Sequence, residues 1–126
     1  DLAPSSSRRR RGRRNYDSGQ MAEESAARNY AARGGLVAER RWRGEGGEID
    51  IVVETAEEVV FVEVKQSSSF DRAAEAITPR QVSRIMAAAA EYVGRFATGM
   101  STPMRFDLAL VNGRGEVRIL ENAFGF

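Results

Sequence analysis

Asp50, Glu63 and Lys65 have the types and spacing for metal-assisted chemistry at phosphate. Asp50 sits in GEIDIVV (47–53), while Glu63 and Lys65 close FVEVK (61–65). Two carboxylates on neighbouring strands offer hard oxygen ligands to a divalent cation, and Mg or Mn typically binds one or two carboxylates plus waters and substrate phosphates. Lys65 is the only lysine; the other 18 of the 19 basic residues are arginine. A lysine ammonium is compact, can shift its pKa and can touch one oxygen or one water, whereas arginine presents a broad planar fork that stays charged. A chain that uses arginine everywhere else gives Lys65 a task arginine would do badly.

The composition narrows the chemistry further. With no histidine and no cysteine, Ser-His and Cys-His nucleophilic machinery, the usual zinc ligands and any disulfide framework are all missing. A metal must therefore be held by oxygen, which favours Mg or Mn. The expected location is a reducing cytoplasm, with no membrane span and no nucleotide cofactor. The 126 residues, 42% of them hydrophobic, suit one domain with a modest core.

The net charge of +1 hides an asymmetry. Residues 1–14 carry six arginines (Arg8, Arg9, Arg10, Arg11, Arg13 and Arg14) against Asp1, a balance of +5. The remaining residues carry 13 basic and 17 acidic groups, a balance of −4. Residues 1–17, Ser/Arg-rich and without periodicity, read as a disordered tail that is either a phosphate-binding arm or simply solvated. Residues 18–126 read as the folded domain.

Several elements must position the three residues. Ser18 is placed to cap a helix running to about Arg33 and ended by Gly34-Gly35. Its apolar stripe is Ala22, Ala26, Ala27 and Tyr30, and Glu23 falls inside it, where a carboxylate needs either an arginine or a bound cation. Strands are expected over 36–43, 48–54 and 59–66. In the second, Ile49, Ile51 and Val53 share one face and Glu48, Asp50 and Val52 the other. If the second and third strands pair as a hairpin, Asp50 shares a face with Phe61, Glu63 and Lys65. Ser67 to Ser69 read as loop, and Pro79 opens a helix to about Phe96 with Gln81, Arg84, Ala88 and Tyr92 along one flank, just off its buried stripe. Strands over 104–112 and 116–120 close an α/β domain of order αβββαββ, a mixed sheet between helices.

GEIDIVV, FVEVK and the later RFDLALV (105–111) resemble the YraN-like family of small bacterial proteins, in the PD-(D/E)xK nuclease superfamily and similar to archaeal Holliday-junction resolvases. Gly19 and Glu23 on the first helix, Trp42-Arg43 at a strand end and Thr78-Pro79 before a helix extend the likeness over about residues 19–111. The resemblance implies a restriction-endonuclease-like three-layer fold with Asp50, Glu63 and Lys65 as a catalytic triad and Glu23 and Gln81 as accessories. Asp50, Glu63 and the Val64 backbone carbonyl would bind Mg or Mn, with Glu23 as a further ligand. Arg43 and Arg84 join the arginine tail as DNA phosphate contacts, and resolvase-like relatives imply a homodimer. Two positions depart from the family pattern: Ser67 stands where an arginine is usual, and Gln81 where many relatives carry lysine. The expected function is metal-dependent endonucleolytic hydrolysis of DNA, of branched or damaged substrates. The alternatives are an inactive nuclease-fold module binding nucleic acid or a protein, and an interaction domain whose basic tail binds an acidic partner.

Overall fold

The computed structural model describes the backbone of residues 6–124 and the side chains from residue 19 onward. Among the described residues three α-helices and five strands follow one another, α1 (Ser6–Ala32), β1 (Leu36–Arg43), β2 (Glu48–Glu54), β3 (Val59–Gln66), α2 (Phe70–Ala74), α3 (Pro79–Val93), β4 (Met104–Val111) and β5 (Val117–Leu120), with a short 3-10 turn at Gly99–Ser101 before β4. The strands form one five-stranded sheet in the order β1-β2-β3-β4-β5. Every neighbouring pair is antiparallel except β3 and β4, which run parallel and are joined by the crossover that carries α2 and α3. The expected α/β domain with a mixed sheet is present.

Alternation along the strands distributes the core over both faces. Ile51, Val53, Val60, Val62 and Ala109 pack with Ala26, Ala27 and Tyr30 of α1. Val52, Val59, Phe61 and Phe106 face the other way, against Ile85, Ala88, Ala89, Tyr92 and Val93 of α3. Tyr92 organises this second core, meeting Trp42, Phe61 and Phe96 edge-on at centroid distances of 5.2, 5.7 and 5.5 Å. Such pairs contribute about 0.5–1.5 kcal/mol each beyond area burial.

The element boundaries depart from the sequence reading where local chemistry wins. Helix α1 starts at Ser6, upstream of the expected cap at Ser18. Arginine loses little rotamer freedom in a helix, and its run here continues the helix instead of breaking it. The side chains of Arg8, Arg9, Arg10, Arg11, Arg13 and Arg14 lie outside the described residues. At its other end α1 stops as expected: Gly34 takes a φ of 89°, and the amides of Gly34 and Gly35 close back onto the carbonyls of Ala31 and Tyr30. This is a glycine-dependent Schellman cap.

The serine run ends in a short helix. Ser69 accepts the Arg72 amide and caps α2, whose five residues are too few for periodicity to reveal. The element order is therefore αβββααββ, one helix more than expected. Helix α3 opens at Pro79 as anticipated, with a capping box in which Thr78 and Gln81 exchange hydrogen bonds. It ends at Val93 instead of Phe96, because beyond Gly94 the chain tightens to bonds from Arg95 to Tyr92 and from Phe96 to Val93. Ala88 and Tyr92 lie within its buried face, not beside it, because the β1–β2 hairpin closes over that flank.

That hairpin sits close because its turn has almost no side chains. A Cβ on Gly47 would meet the Arg84 carbonyl oxygen at 2.8 Å, and one on Gly46 the Ala87 methyl at 2.9 Å. The Glu45 amide donates to the Glu91 carboxylate of α3, at 2.9 Å to Oε2.

One buried polar cluster ties the layers together. Asp107 on β4 is fully buried and accepts from Arg105 through both oxygens at 2.9 Å, from the Tyr30 hydroxyl at 2.7 Å and from the Asn122 amide at 2.9 Å. Helix α1, strand β4 and the segment after β5 thus share one carboxylate. Burial and the Asp107 charge hold the Tyr30 hydroxyl well above its usual pKa, so it stays a donor. Asp107→Ala strands these donors and is expected to cost about 3–5 kcal/mol; Tyr30→Phe loses one charge-assisted bond, about 1.5–3 kcal/mol. Urea denaturation of both variants checks the ranking.

Candidate functional site

Strands β2 and β3 pair through Ile51↔Val62, Val52↔Phe61 and onward, and the ladder stops at Ile51. One step further in this register, Asp50 lies opposite Glu63. Instead of another backbone bond, the Asp50 side chain takes the next amide: Val64 N–H donates to Asp50 Oδ2 at 2.8 Å. In a strand, N–H and C=O of one residue project to the same side, so the Val64 carbonyl also faces β2.

The other neighbour of Asp50 is distorted as well. β1 pairs with β2 through Arg40↔Ile51 and Trp42↔Ile49, so Arg41 stands opposite Asp50. Arg41 has a φ of 52°, in the left-handed region that a residue with a Cβ rarely adopts. The sheet therefore opens on both sides of Asp50. Past this point Ile49 leaves the alternation expected of it and packs with Trp42 in the α3-side core, away from Ile51 and Val53.

Around Asp50 lies a cleft of about 190 Å³ lined by Glu48, Asp50, Glu63, Gln81, Arg84 and Ile85. The hairpin on α3 and the capping box at its start put Gln81 and Arg84 there. Gln81 uses Oε1 to accept from the Thr78 amide at 3.0 Å. Lys65 Nζ lies 3.1 Å from Glu63 Oε2, both side chains largely buried, beside the cleft and on the Glu63 face. Glu23 meets an arginine: Arg41 Nε donates to its Oε1 at 2.8 Å. It lines a neighbouring pocket of about 280 Å³ together with Gln20, Glu24, Arg40 and Arg41. Arg43 reaches Glu48 at 3.3 Å. Of the residues expected from sequence, the cleft gathers Asp50, Glu63, Gln81 and Arg84, with Lys65 against Glu63; Glu23 and Arg43 lie on its border.

The electrostatics follow from these pairings. Glu63 has Lys65, Glu48 has Arg43 and Glu23 has Arg41, whereas Asp50 forms no ion pair with a described residue. Burial first, and then the charge of Glu63, push the Asp50 carboxyl up to about 7, while the Val64 amide pulls the other way. Glu23 is also raised, by burial and then against the pull of the Arg41 hydrogen bond, with Asp50 and Glu48 among the charges that push it. The Asp50 shift arises where two like charges converge.

Two contributors escaped the sequence reading. Glu48 was assigned to the Asp50 face, which is the signal that it borders the cleft, but it was not carried into the site. Arg41 becomes visible only once β1 and β2 are registered against each other.

An α/β domain with a mixed sheet and an acidic cleft at an interrupted ladder is the class that fold and site define. The model of the uncharacterised protein family UPF0102 matches residues 22–111. Similar proteins of that family include one from Ruegeria pomeroyi, 54% identical over 91% of this chain and 94% of its own length. Another, from Roseobacter denitrificans, is 50% identical over 89% and 87%, and one from Dinoroseobacter shibae is 44% identical over 97% and 92%. The chain belongs to the UPF0102 family, the YraN-like family that its motifs resemble. Among the described residues no helix is long and apolar enough to cross a membrane.

The raised Asp50 carboxyl gives a pH signature. The folded state binds more protons than the unfolded state between about pH 4 and the folded value of about 7. Stability therefore falls as pH rises through this window. Asp50→Asn is expected to flatten that slope in urea titrations at successive pH values.

Proposed function

We propose that the protein hydrolyses DNA phosphodiester bonds with a divalent cation, on a restriction-endonuclease-like version of this α/β fold. The observation that carries the reading is the Asp50–Glu63 pair, face to face where the ladder ends, with Lys65 against Glu63. The donor set fits Mg or Mn. It is all oxygen, two carboxylates and a backbone carbonyl, the ligand types these ions prefer. Two carboxylates suit Mg, which keeps several of its waters and uses substrate phosphate as a ligand. The Asp50 carboxyl, raised by burial and by the Glu63 charge, also marks a place where a cation would relieve repulsion.

Asp50 and Glu63 would hold the ion, aided by the Val64 carbonyl. When bound, it would lower the pKa of a water and offset charge developing on the phosphate. The chain's own groups would do the rest. Lys65 donates to the attacking water or to a phosphate oxygen, from an ammonium fixed by Glu63. Gln81, its oxygen committed to the cap, lines the same cleft and could offer its NH2 to a phosphate oxygen. Arg84 on the cleft wall and Arg43 at its border would take flanking phosphates, and the six arginines near the N-terminus would add salt-dependent affinity. Glu23 is an accessory in reserve, engaged with Arg41.

The same engagement favours a second reading, in which the domain binds nucleic acid or a protein partner without cutting. A Glu23 held by Arg41 leaves two carboxylates where a more fully acidic site would have three.

Asp50→Ala is expected to abolish Mn-dependent cleavage of flap or junction DNA while the domain stays folded. Lys65→Arg keeps the charge and should lose about 10²–10³ in rate, the cost of removing one well-placed donor. Cleavage retained by Asp50→Ala overturns the hydrolytic reading, and wild-type DNA binding without cleavage at millimolar Mn supports the second.

A further inference from the structure

We infer that Arg41 couples phosphate binding to cation binding at Asp50, a positioning role that rests on reading Asp50 and Glu63 as cation ligands. Arg41 occupies the β1 position directly across from Asp50. Its φ of 52° is a conformation a side chain disfavours, one that persists only where the surroundings over-determine it and that concentrates at functional sites. The guanidinium takes Glu23 at 2.8 Å and lines a polar pocket of about 280 Å³, with Arg40 beside it 3.9 Å from Glu24. A phosphodiester entering that pocket meets two guanidinium groups, the planar forks suited to phosphate oxygens.

The coupling follows from charge. With no phosphate present, the Arg41 cation stands against a second cation arriving at Asp50 and keeps Glu23 engaged. A phosphate that captures the guanidinium cancels that repulsion and releases the Glu23 carboxylate to the field around Asp50. Cation and phosphate therefore bind better together than apart. By linkage the enhancement is the same whichever binds first. Couplings between two sites are commonly about 5–150-fold, and about tenfold is expected here.

Calorimetric titration of Mn into the full chain, with and without a short phosphorothioate DNA duplex that resists hydrolysis, reads the coupling directly. Wild type is expected to bind Mn about tenfold more tightly with the duplex present. Arg41→Gly, which suits the left-handed backbone, should bind Mn alone more tightly than wild type, lose duplex affinity and show little enhancement. Arg41→Lys, which keeps the charge, should restore most of the enhancement. Thermal unfolding confirms that each variant is folded, and Arg41→Gln replaces the glycine variant if that one is not. Equal enhancement in wild type and Arg41→Gly overturns the inference. Unchanged Mn affinity in Asp50→Asn instead overturns the cation reading on which it rests.

Discussion

Two carboxylates forced together at the edge of a broken ladder set the terms for everything around them. Asp50 and Glu63 are brought into line by the antiparallel register of β2 and β3, and burial denies them the water that would separate their charges. The surroundings answer this with Lys65 on Glu63, the Val64 amide on Asp50 and arginines on the two acids nearby. Two like charges held this close cost the fold stability, a cost that the proposed cation would offset.

The scaffold isolates that tension from the fold's own polar requirements. Asp107, at the centre of its own cluster, is satisfied on all sides by Arg105, Tyr30 and Asn122. The two acids thus do opposite work. One has all its partners supplied by the chain and joins α1 to the sheet; the other has no cationic partner among the described residues and faces a cleft. Tyr30 and the Schellman cap that follows it also fix where α1 ends, and with it the run of the helix that carries Glu23.

Much of this was legible in the sequence, for physical reasons. All three site strands fell on their expected residues because alternation of apolar and polar side chains is a strong signal. The shared face of Asp50, Glu63 and Lys65 followed from strand parity alone once the hairpin was assumed. Pro79 and Thr78 announced α3 through capping chemistry. What stayed hidden depended on contacts between distant segments. Ala88 and Tyr92 looked like a helix flank until the glycine turn was seen to close on them. Asp107 lies within RFDLALV, and only its meeting with Tyr30 reveals its purpose. Arg41 is one of eighteen arginines, and its backbone conformation has no local sequence cue.

The turn at Gly44–Gly47 has one more consequence. Because it touches α3 through bare backbone and through the Glu91 grip on the Glu45 amide, the separation of β2 from α3 is fixed outside the cleft. The aperture facing Asp50 is thus a dimension of the loop, independent of the acids and the amide that line it. Small changes in these four residues would resize the cleft while leaving Asp50 and Glu63 in place. In this domain, the width of the cleft and the groups that line it are written in separate stretches of chain.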